Sequence, residues 1–488
     1  MPTITGIQYI DTLLEGADVR LNAGSPVGTP VRITYDFPNT PPVTAEEYDR
    51  DGFAPMTDAM KEAVRQGLQA WADVANVSFQ EVPFAGRFHF ASNDQGMDSA
   101  GYAYLPFADS PQAGSMYLNN SWPVMQVYTP GTYPYTATVH EIGHLLGLRH
   151  PGDYNGSQSG GQGPGPFLPA GQDNQGFAIM AYAPPENGMQ AQTPMVYDIA
   201  AAQYLYGANM ATRTGNDTYA FTDQPKLQAV WDAGGTDTLD ASAMVQAVTF
   251  RMDAGAYSDV GAVQNFGIAY NVTIENARGG AGGDTIQGNA AANTLTGNAG
   301  NDTLSGGDGN DVLYGNLGVD DLFGGADDDT LFGGQGNDSL NGGTGNDVIY
   351  GNLGNDHVYD NFGADTLYGG LGDDTLLGGR RDDLVVGGQG DDWLCGDGFG
   401  AENGIAGNDT LTGGMGADTF AFGFVGGDDR VTDFNGAEGD RIRLETGATW
   451  TLSADADGDA VLTLSSLGTV TLAGVKAAAF QAGWILAA

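Results

Sequence analysis

Apolar residues recur along this 488-residue chain with two different periods, and each period predicts a different element. Between Thr57 and Asn76, the residues Met60, Val64, Leu68, Trp71 and Val74 fall three or four positions apart. That spacing puts them on one face of an α-helix, with Thr57 as its N-terminal cap and Trp71 in the core. From Gly279 the period becomes nine. Units of the form Gly-Gly-x-Gly-x-Asp-x-apolar-x run thirteen times without a break to Cys395. An insertion of eight residues, Gly396 to Asn403, precedes two further units. The apolar eighth residue (Leu304, Leu313, Leu322, Leu331) predicts a short strand after each Gly-rich turn, its side chain pointing into a thin core. No segment reaches about 18 consecutive apolar residues, so no membrane span is expected.

Charge changes the picture of the repeats. A net charge of −44 argues against nucleic acid or an anionic membrane as partner, and for cations. The sixth position is Asp in fourteen of the fifteen units, Asn293 being the exception. Turn carbonyls with Asp carboxylates are the hard oxygen donors that Ca²⁺ takes. Carboxylates on coils about 4.8 Å apart repel by about 0.9 kcal/mol in water and about 3.5 kcal/mol at an effective dielectric of 20. Over a dozen neighbours this rivals the roughly 5–15 kcal/mol that stabilises a whole domain. The array is therefore expected to be disordered without calcium and to fold when calcium binds. Asp327 and Arg381, which replace a turn Gly, and Ala291 with Asn293 weaken their units. A single cysteine, Cys395, precludes an intramolecular disulfide. Met1 to Leu14 carries no basic residue and no long apolar run, so no Sec-type signal peptide is expected.

The candidate chemistry lies in residues 140–150, His-Glu-Ile-Gly-His-Leu-Leu-Gly-Leu-Arg-His, which hold three of the five histidines. On a helix His140 and His144 share a face and can reach one metal ion. Gly147 allows the sharp exit that brings His150 back as a third nitrogen ligand. Three neutral imidazoles leave Zn²⁺ one open position, the arrangement of a catalytic site, with Glu141 placed as general base. About thirty residues downstream, Ile179-Met180-Ala181-Tyr182 stands where the HExxHxxGxxH pattern expects a Met-containing turn. His89, in Arg-Phe-His-Phe, reads as a structural residue on a strand, and His357 as a surface residue of the repeats.

Together these motifs resemble the serralysins, metzincin zinc endopeptidases with an RTX-type calcium β-roll. Ile10 to Leu14 and Val31 to Phe37 resemble that family's opening segment and first strand, and Ala75-Asn76-Val77-Ser78-Phe79 its lead into further strands. Ala191 to Asn209, with Tyr197-Asp198-Ile199, resembles the helix closing the protease domain. The resemblance implies an α+β metzincin protease domain over residues 1–210. An all-β parallel β-roll follows over 211–421, its repeats beginning at 279, and then a C-terminal β cap and secretion signal over 422–488. That signal would end in Trp484-Ile485-Leu486-Ala487-Ala488.

The resemblance also implies roles. Tyr182 would be a further zinc ligand that swings away to stabilise the oxyanion. Arg213, Gly215 and Asp217, then Asp232, Gly234, Gly235 and Asp237, then Thr273 and Glu275, would bind calcium ahead of the repeats. Within the repeats the family's ligands are the second- and fourth-position carbonyls and the sixth-position Asp. On one set of units these are Gly280, Gly282 and Asp284; Gly307, Gly309 and Asp311; Gly334, Gly336 and Asp338; and Gly343, Gly345 and Asp347. Further along they are Gly370, Gly372 and Asp374; Gly388, Gly390 and Asp392; and Gly414, Gly416 and Asp418. Where Asn takes the second position they are Asn298, Gly300 and Asp302; Asn316, Gly318 and Asp320; and Asn352, Gly354 and Asp356. The expected protein is a secreted, extracellular, monomeric bacterial endopeptidase with one catalytic zinc and several structural calcium ions. It would take protein or peptide substrates along an edge strand, with Ala103-Tyr104-Leu105-Pro106 as the segment, and leave by type I secretion machinery. The alternative is a catalytically silent, calcium-dependent extracellular adhesin or matrix protein, which the repeats alone would allow.

Overall fold

The computed structural model describes residues 5–14, 20–97, 99–106, 111–152, 165–397, 407–423, 426–465 and 468–486. The expected insertion beyond Asp397, the opening of the unit at Gly404 and the terminal Ala487 and Ala488 lie outside the described residues. The chain forms two compact units. One comprises residues 1–217, 224–235 and 254–273, and the other residues 218–223, 236–253 and 274–488. Among the described residues no helix is long and apolar enough to cross a membrane.

The first unit is a mixed sheet with helices. Strands β1 (Val31–Asp36), β2 (Val77–Glu81), β3 (Phe88–Asn93), β4 (Gly101–Ala103) and β5 (Ser115–Asn119) are ordered β2-β1-β3-β5-β4. All neighbours run parallel except β4, which pairs antiparallel with β5 and forms one edge. Helices α1 (Gln8–Asp11), α2 (Glu47–Arg50), α3 (Asp58–Val74), α4 (Tyr133–Leu145) and α5 (Val196–Tyr206) complete it. Helix α3 follows its apolar spacing: Met60, Val64, Leu68, Trp71 and Val74 are buried, and Thr57 Oγ1 accepts the Met60 N–H at 3.3 Å. The Trp71 indole donates to the Val139 carbonyl at 3.0 Å, which ties α3 to α4. Helix α4 is buried on nearly every side, as its run of Val139, Ile142 and Leu145 requires.

The second unit is built from the nine-residue period. Each unit contributes one strand, and successive strands alternate between two parallel sheets, so a strand pairs with the one eighteen residues on. Leu295 pairs with Leu313 in one sheet and Leu304 with Leu322 in the other. The eight-residue insertion lengthens this offset to twenty-six, as in Val385 with Leu411, without breaking the ladder. Leu295, Leu304, Leu313, Leu322, Leu331 and Leu340 are fully buried between the sheets. On one outer face Tyr314, Phe332, Tyr350 and Tyr368 stack at 5.0, 5.0 and 4.9 Å, the spacing of adjacent coils. An antiparallel group, Trp450–Ala454, Asp459–Leu464 and Gly468–Lys476, pairs with the strand Asp428–Val431. That pairing covers an edge that would otherwise present free backbone groups.

Candidate metal centre and catalytic cleft

Helix α4 ends where the glycine requires. Gly147 has φ +94°, its N–H donates to the His144 carbonyl at 2.9 Å, and the Leu148 N–H donates to the Gly143 carbonyl at 3.0 Å. This pair of bonds is a Schellman turn, which sends the chain back across the helix end. The returning segment is held by the N-terminal residues: Leu14 bridges Leu148, and the Arg149 N–H donates to the Leu13 carbonyl at 2.9 Å. Buried Arg149 adds a bond from Nε to the Thr12 carbonyl at 3.0 Å. The Tyr206 hydroxyl of α5 donates to the Leu146 carbonyl at 2.7 Å.

The result is convergence of three imidazoles. His150 Nε2 lies 3.1 Å from His140 Nε2 and 3.0 Å from His144 Nε2. Nitrogens bound to one tetrahedral zinc at about 2.0–2.1 Å stand roughly 3.3 Å apart, so the donor set fits that ion. The other ring nitrogens set the tautomers. His140 Nδ1 donates to the Ile179 carbonyl and His144 Nδ1 to the Leu148 carbonyl, each at 2.8 Å, which leaves the Nε2 lone pairs free to ligate. Burial lowers His140 to about 4, and burial with His140 alongside lowers His144 to about 3, so both rings are neutral.

The Met-containing turn lies directly under this centre. A Cβ at Gly143 would overlap Met180 Sδ and crowd the Trp71 ring, so helix, turn and α3 pack closely at this glycine. Asp198 on α5 anchors the turn: it is fully buried and accepts N–H bonds from Ile179 at 2.5 Å, Met195 at 2.9 Å and Met180 at 3.5 Å. Through Ile179 it bears on the carbonyl that orients His140. In the sequence Asp198 is marked only as part of a helix, because nothing local links it to a turn eighteen residues earlier.

A cleft of about 360 Å³ opens beside the histidines, lined by Ala100, Gly101, Tyr133, His140, Glu141 and Tyr182, among others. Glu141 is 8% exposed, accepts a hydrogen bond from the Ala103 backbone, and is raised to about 8 by burial. The Tyr182 ring is 4.1 Å from that of His150, centroid to centroid, and burial followed by the Glu141 charge raises its phenol to about 12. Edge strand β4 ends at Ala103, so only the first residue of the expected segment Ala103 to Pro106 is strand. Pro106 lacks the N–H that continued pairing would need. His89 Nδ1 sits 2.7 Å from Asp36 Oδ1 within the sheet, and His357 is exposed.

The residues read as calcium ligands divide between the two units. Arg213, Gly215, Asp217, Asp232, Gly234, Gly235 and Thr273 belong to the first, Asp237, Glu275 and the repeat residues to the second. Glu275 Oε2 accepts the Asp237 N–H at 2.7 Å, and Asp232 Oδ1 the Gly234 N–H at 2.9 Å. Within the repeats one arrangement recurs. From Asp302 on, the Oδ1 atom of each sixth-position Asp accepts the N–H of the sixth-position residue one coil earlier, as Asp320 does from Asp302 at 2.8 Å and Asp311 from Asn293 at 2.7 Å. The Oδ2 atoms of Asp302, Asp311, Asp320, Asp329, Asp338, Asp347, Asp356, Asp374, Asp392 and Asp418 are buried and have no hydrogen-bond partner. Rows of orphaned carboxylate oxygens beside turn carbonyls fit a hard cation. Two units depart from the pattern. Asn293 satisfies itself, its Oδ1 accepting from Asn289 N and its Nδ2 donating to the Glu275 carbonyl. Asp284 has both oxygens bonded, to the N–H groups of Val248 and Gly280.

Comparison with known proteins gives the same two-part layout. The matrixin model matches residues 46–156, and the serralysin C-terminal model of peptidase family M10 matches residues 196–449, more than half the chain. The chain belongs to the serralysin family. It is 39% identical over 288 residues to the metallopeptidase AprA of Pseudomonas marginalis, covering 52% of this chain and 60% of the relative. It is 36% identical over 298 residues to serralysin of Proteus mirabilis (53% and 60%) and 37% over 316 residues to serralysin B of Dickeya chrysanthemi (58% and 64%). The chain thus spans about three fifths of the length of these curated relatives. Family membership agrees with the resemblance drawn from the motifs, and with a matrixin-type α+β unit followed by a parallel β-roll.

Proposed function

We propose that this protein is a secreted, calcium-stabilised zinc endopeptidase that cleaves extracellular proteins. The observation that carries the reading is the meeting of three Nε2 lone pairs with a buried carboxylate, Glu141, in an open cleft bordered by edge strand β4. His140, His144 and His150 would hold the zinc, with Tyr182 alongside. When bound, the zinc would supply Lewis acidity, acidifying water and polarising a peptide carbonyl. Glu141 takes the proton of the attacking water at its carboxylate and returns it to the leaving amine. The Tyr182 phenol, beside His150 and facing the cleft, donates to the developing oxyanion. Edge strand β4 offers its backbone to an extended substrate, a mode that reads main chain more than side chains and so favours broad specificity. Calcium at the orphaned carboxylates suits an extracellular setting, where that ion is abundant.

The test is casein cleavage by the full chain refolded with Ca²⁺ and Zn²⁺. Glu141→Gln should lower kcat about 10²- to 10⁴-fold while zinc content is unchanged, as for loss of a general base. Folded, zinc-loaded wild type that cleaves nothing would sink the peptidase reading and return weight to the silent adhesin.

A further inference from the structure

Among the fifteen repeat units, one alone does not begin with glycine: Asp360 opens the unit Asp-Asn-Phe-Gly-Ala-Asp-Thr-Leu-Tyr. In the regular units a Cβ at the first position would run into the Oδ2 atom of that unit's own Asp, as at Gly306 with Asp311 and at Gly351 with Asp356. A side chain at this position must therefore turn elsewhere, and that of Asp360 turns to the preceding coil. Its Oδ2 atom shares with Asp347 Oδ2 the space where a Cβ on Gly342 would lie. Asp365, the sixth-position residue of Asp360's own unit, completes the group. Ligand atoms of Asp347, Asp360 and Asp365 all lie within 4.8 Å of one another.

The group is clamped from outside and open inside. Asp360 Oδ1 accepts N–H bonds from Gly343 at 3.0 Å and Asn361 at 2.6 Å. Asp347 Oδ1 accepts from Asp329 at 2.7 Å, and Asp365 Oδ1 from Asp347 at 2.9 Å. No N–H reaches the three Oδ2 atoms, and those of Asp347 and Asp360 meet each other, in side chains that are 1%, 5% and 2% exposed at Asp347, Asp360 and Asp365. The local strand is shortened around the group: His357–Tyr359 spans three residues, whereas Ser339–Thr344 one coil earlier spans six. Regular pairing stops at Tyr359 and resumes as a single bridge from Phe362 to Thr344.

Asp360 adds a carboxylate that the regular units, with Gly at that position, lack, and ligand charge is what tunes Ca²⁺ affinity in oxygen sites. Asp397, Asp409 and Asp429 form a second such three-carboxylate group further along the unit. We propose that Asp347, Asp360 and Asp365 form a three-carboxylate calcium site that binds more tightly than the regular turns and stays loaded after those have emptied. The proposal rests on the calcium reading of the repeats and is independent of the peptidase reading.

The test is stepwise removal of calcium from the full chain by graded chelator, with bound calcium counted by atomic emission and affinities read by calorimetry. The variants are Asp360→Gly, which installs the residue of the other fourteen units, and Asp360→Asn, which keeps the shape and removes the charge. Wild type should hold a class of ions at least about tenfold more tightly than the rest, and both variants should lose one ion from that class while binding the others as before. Asp356→Asn, in a regular turn, should leave that ion in place. A tight class that keeps all its ions in Asp360→Gly would overturn the proposal. So would a variant that binds one more ion than wild type, since Asp360 would then be a plug that keeps calcium out. Wild type that binds no calcium at any site would overturn the calcium reading itself.

Discussion

Asp198 and Asp320 are both carboxylates removed from water, and they are treated in opposite ways. Asp198, in the first unit, has bonds from three backbone N–H groups and supports a turn beneath the histidines. Asp320, in the second, has one oxygen bonded to a neighbouring coil and the other bonded to nothing. The first unit satisfies its buried polar groups largely from its own chain, with helix ends and turns as donors. The repeats leave one acceptor per turn open, and burial raises the pKa of these groups, to about 7 at Asp302 and about 8 at Asp329. A charge that the chain does not neutralise must be neutralised by something else. Asn293 is the internal control: where an amide replaces the carboxylate, the turn closes on its own bonds.

The largest expected effect follows from that contrast. Full chain in excess chelator should lose most of its strand signal in circular dichroism while the helical contribution persists, and added calcium should restore it. Full strand content under chelation would show that the repeats fold without their ions and would remove the contrast. A smaller effect is expected at Asp198. Asp198→Ala leaves the Ile179 and Met195 N–H groups unpaired, which should cost about 1–3 kcal/mol in denaturant unfolding with calcium present. It should also weaken zinc binding about 10- to 100-fold, as loss of an outer partner of a metal-ligating His does. Unchanged zinc affinity would mean that Asp198 serves the fold alone. The smallest effect concerns backbone. Arg381 sits at φ +79°, where a side chain costs about 1–2 kcal/mol. Arg381→Gly should raise stability by about 1 kcal/mol in saturating calcium, read as an increase in Tm, after the extra chain freedom of glycine is offset.

Much of the architecture is legible in local spacing. The helix Asp58–Val74 shows in its apolar residues, the exit at Gly147 in the identity of one residue, and the coils in a strict period of nine. Other features have no local signature. The edge strand ends three residues before Pro106, and Gly101 lines the cleft, yet neither residue type nor spacing marks them. Asp360 stands at a first position, where the repeat pattern calls for Gly, so the pattern that marks the sixth-position aspartates as ligands does not mark it.

Spacing along the chain was enough to bring His140 and His144 to one face of a helix and to stack an apolar residue per coil, because helical and strand geometry repeat the same few angles at every residue. It could not show that Met180 fills the space left by Gly143, that Thr12 to Leu14 hold the segment bearing His150, or that a strand pairs with its neighbour eighteen residues away. Nor could it show Asp360 reaching the pocket beside Gly342. Those contacts join residues far apart in sequence, and packing in three dimensions chooses among the many partners that local geometry leaves open.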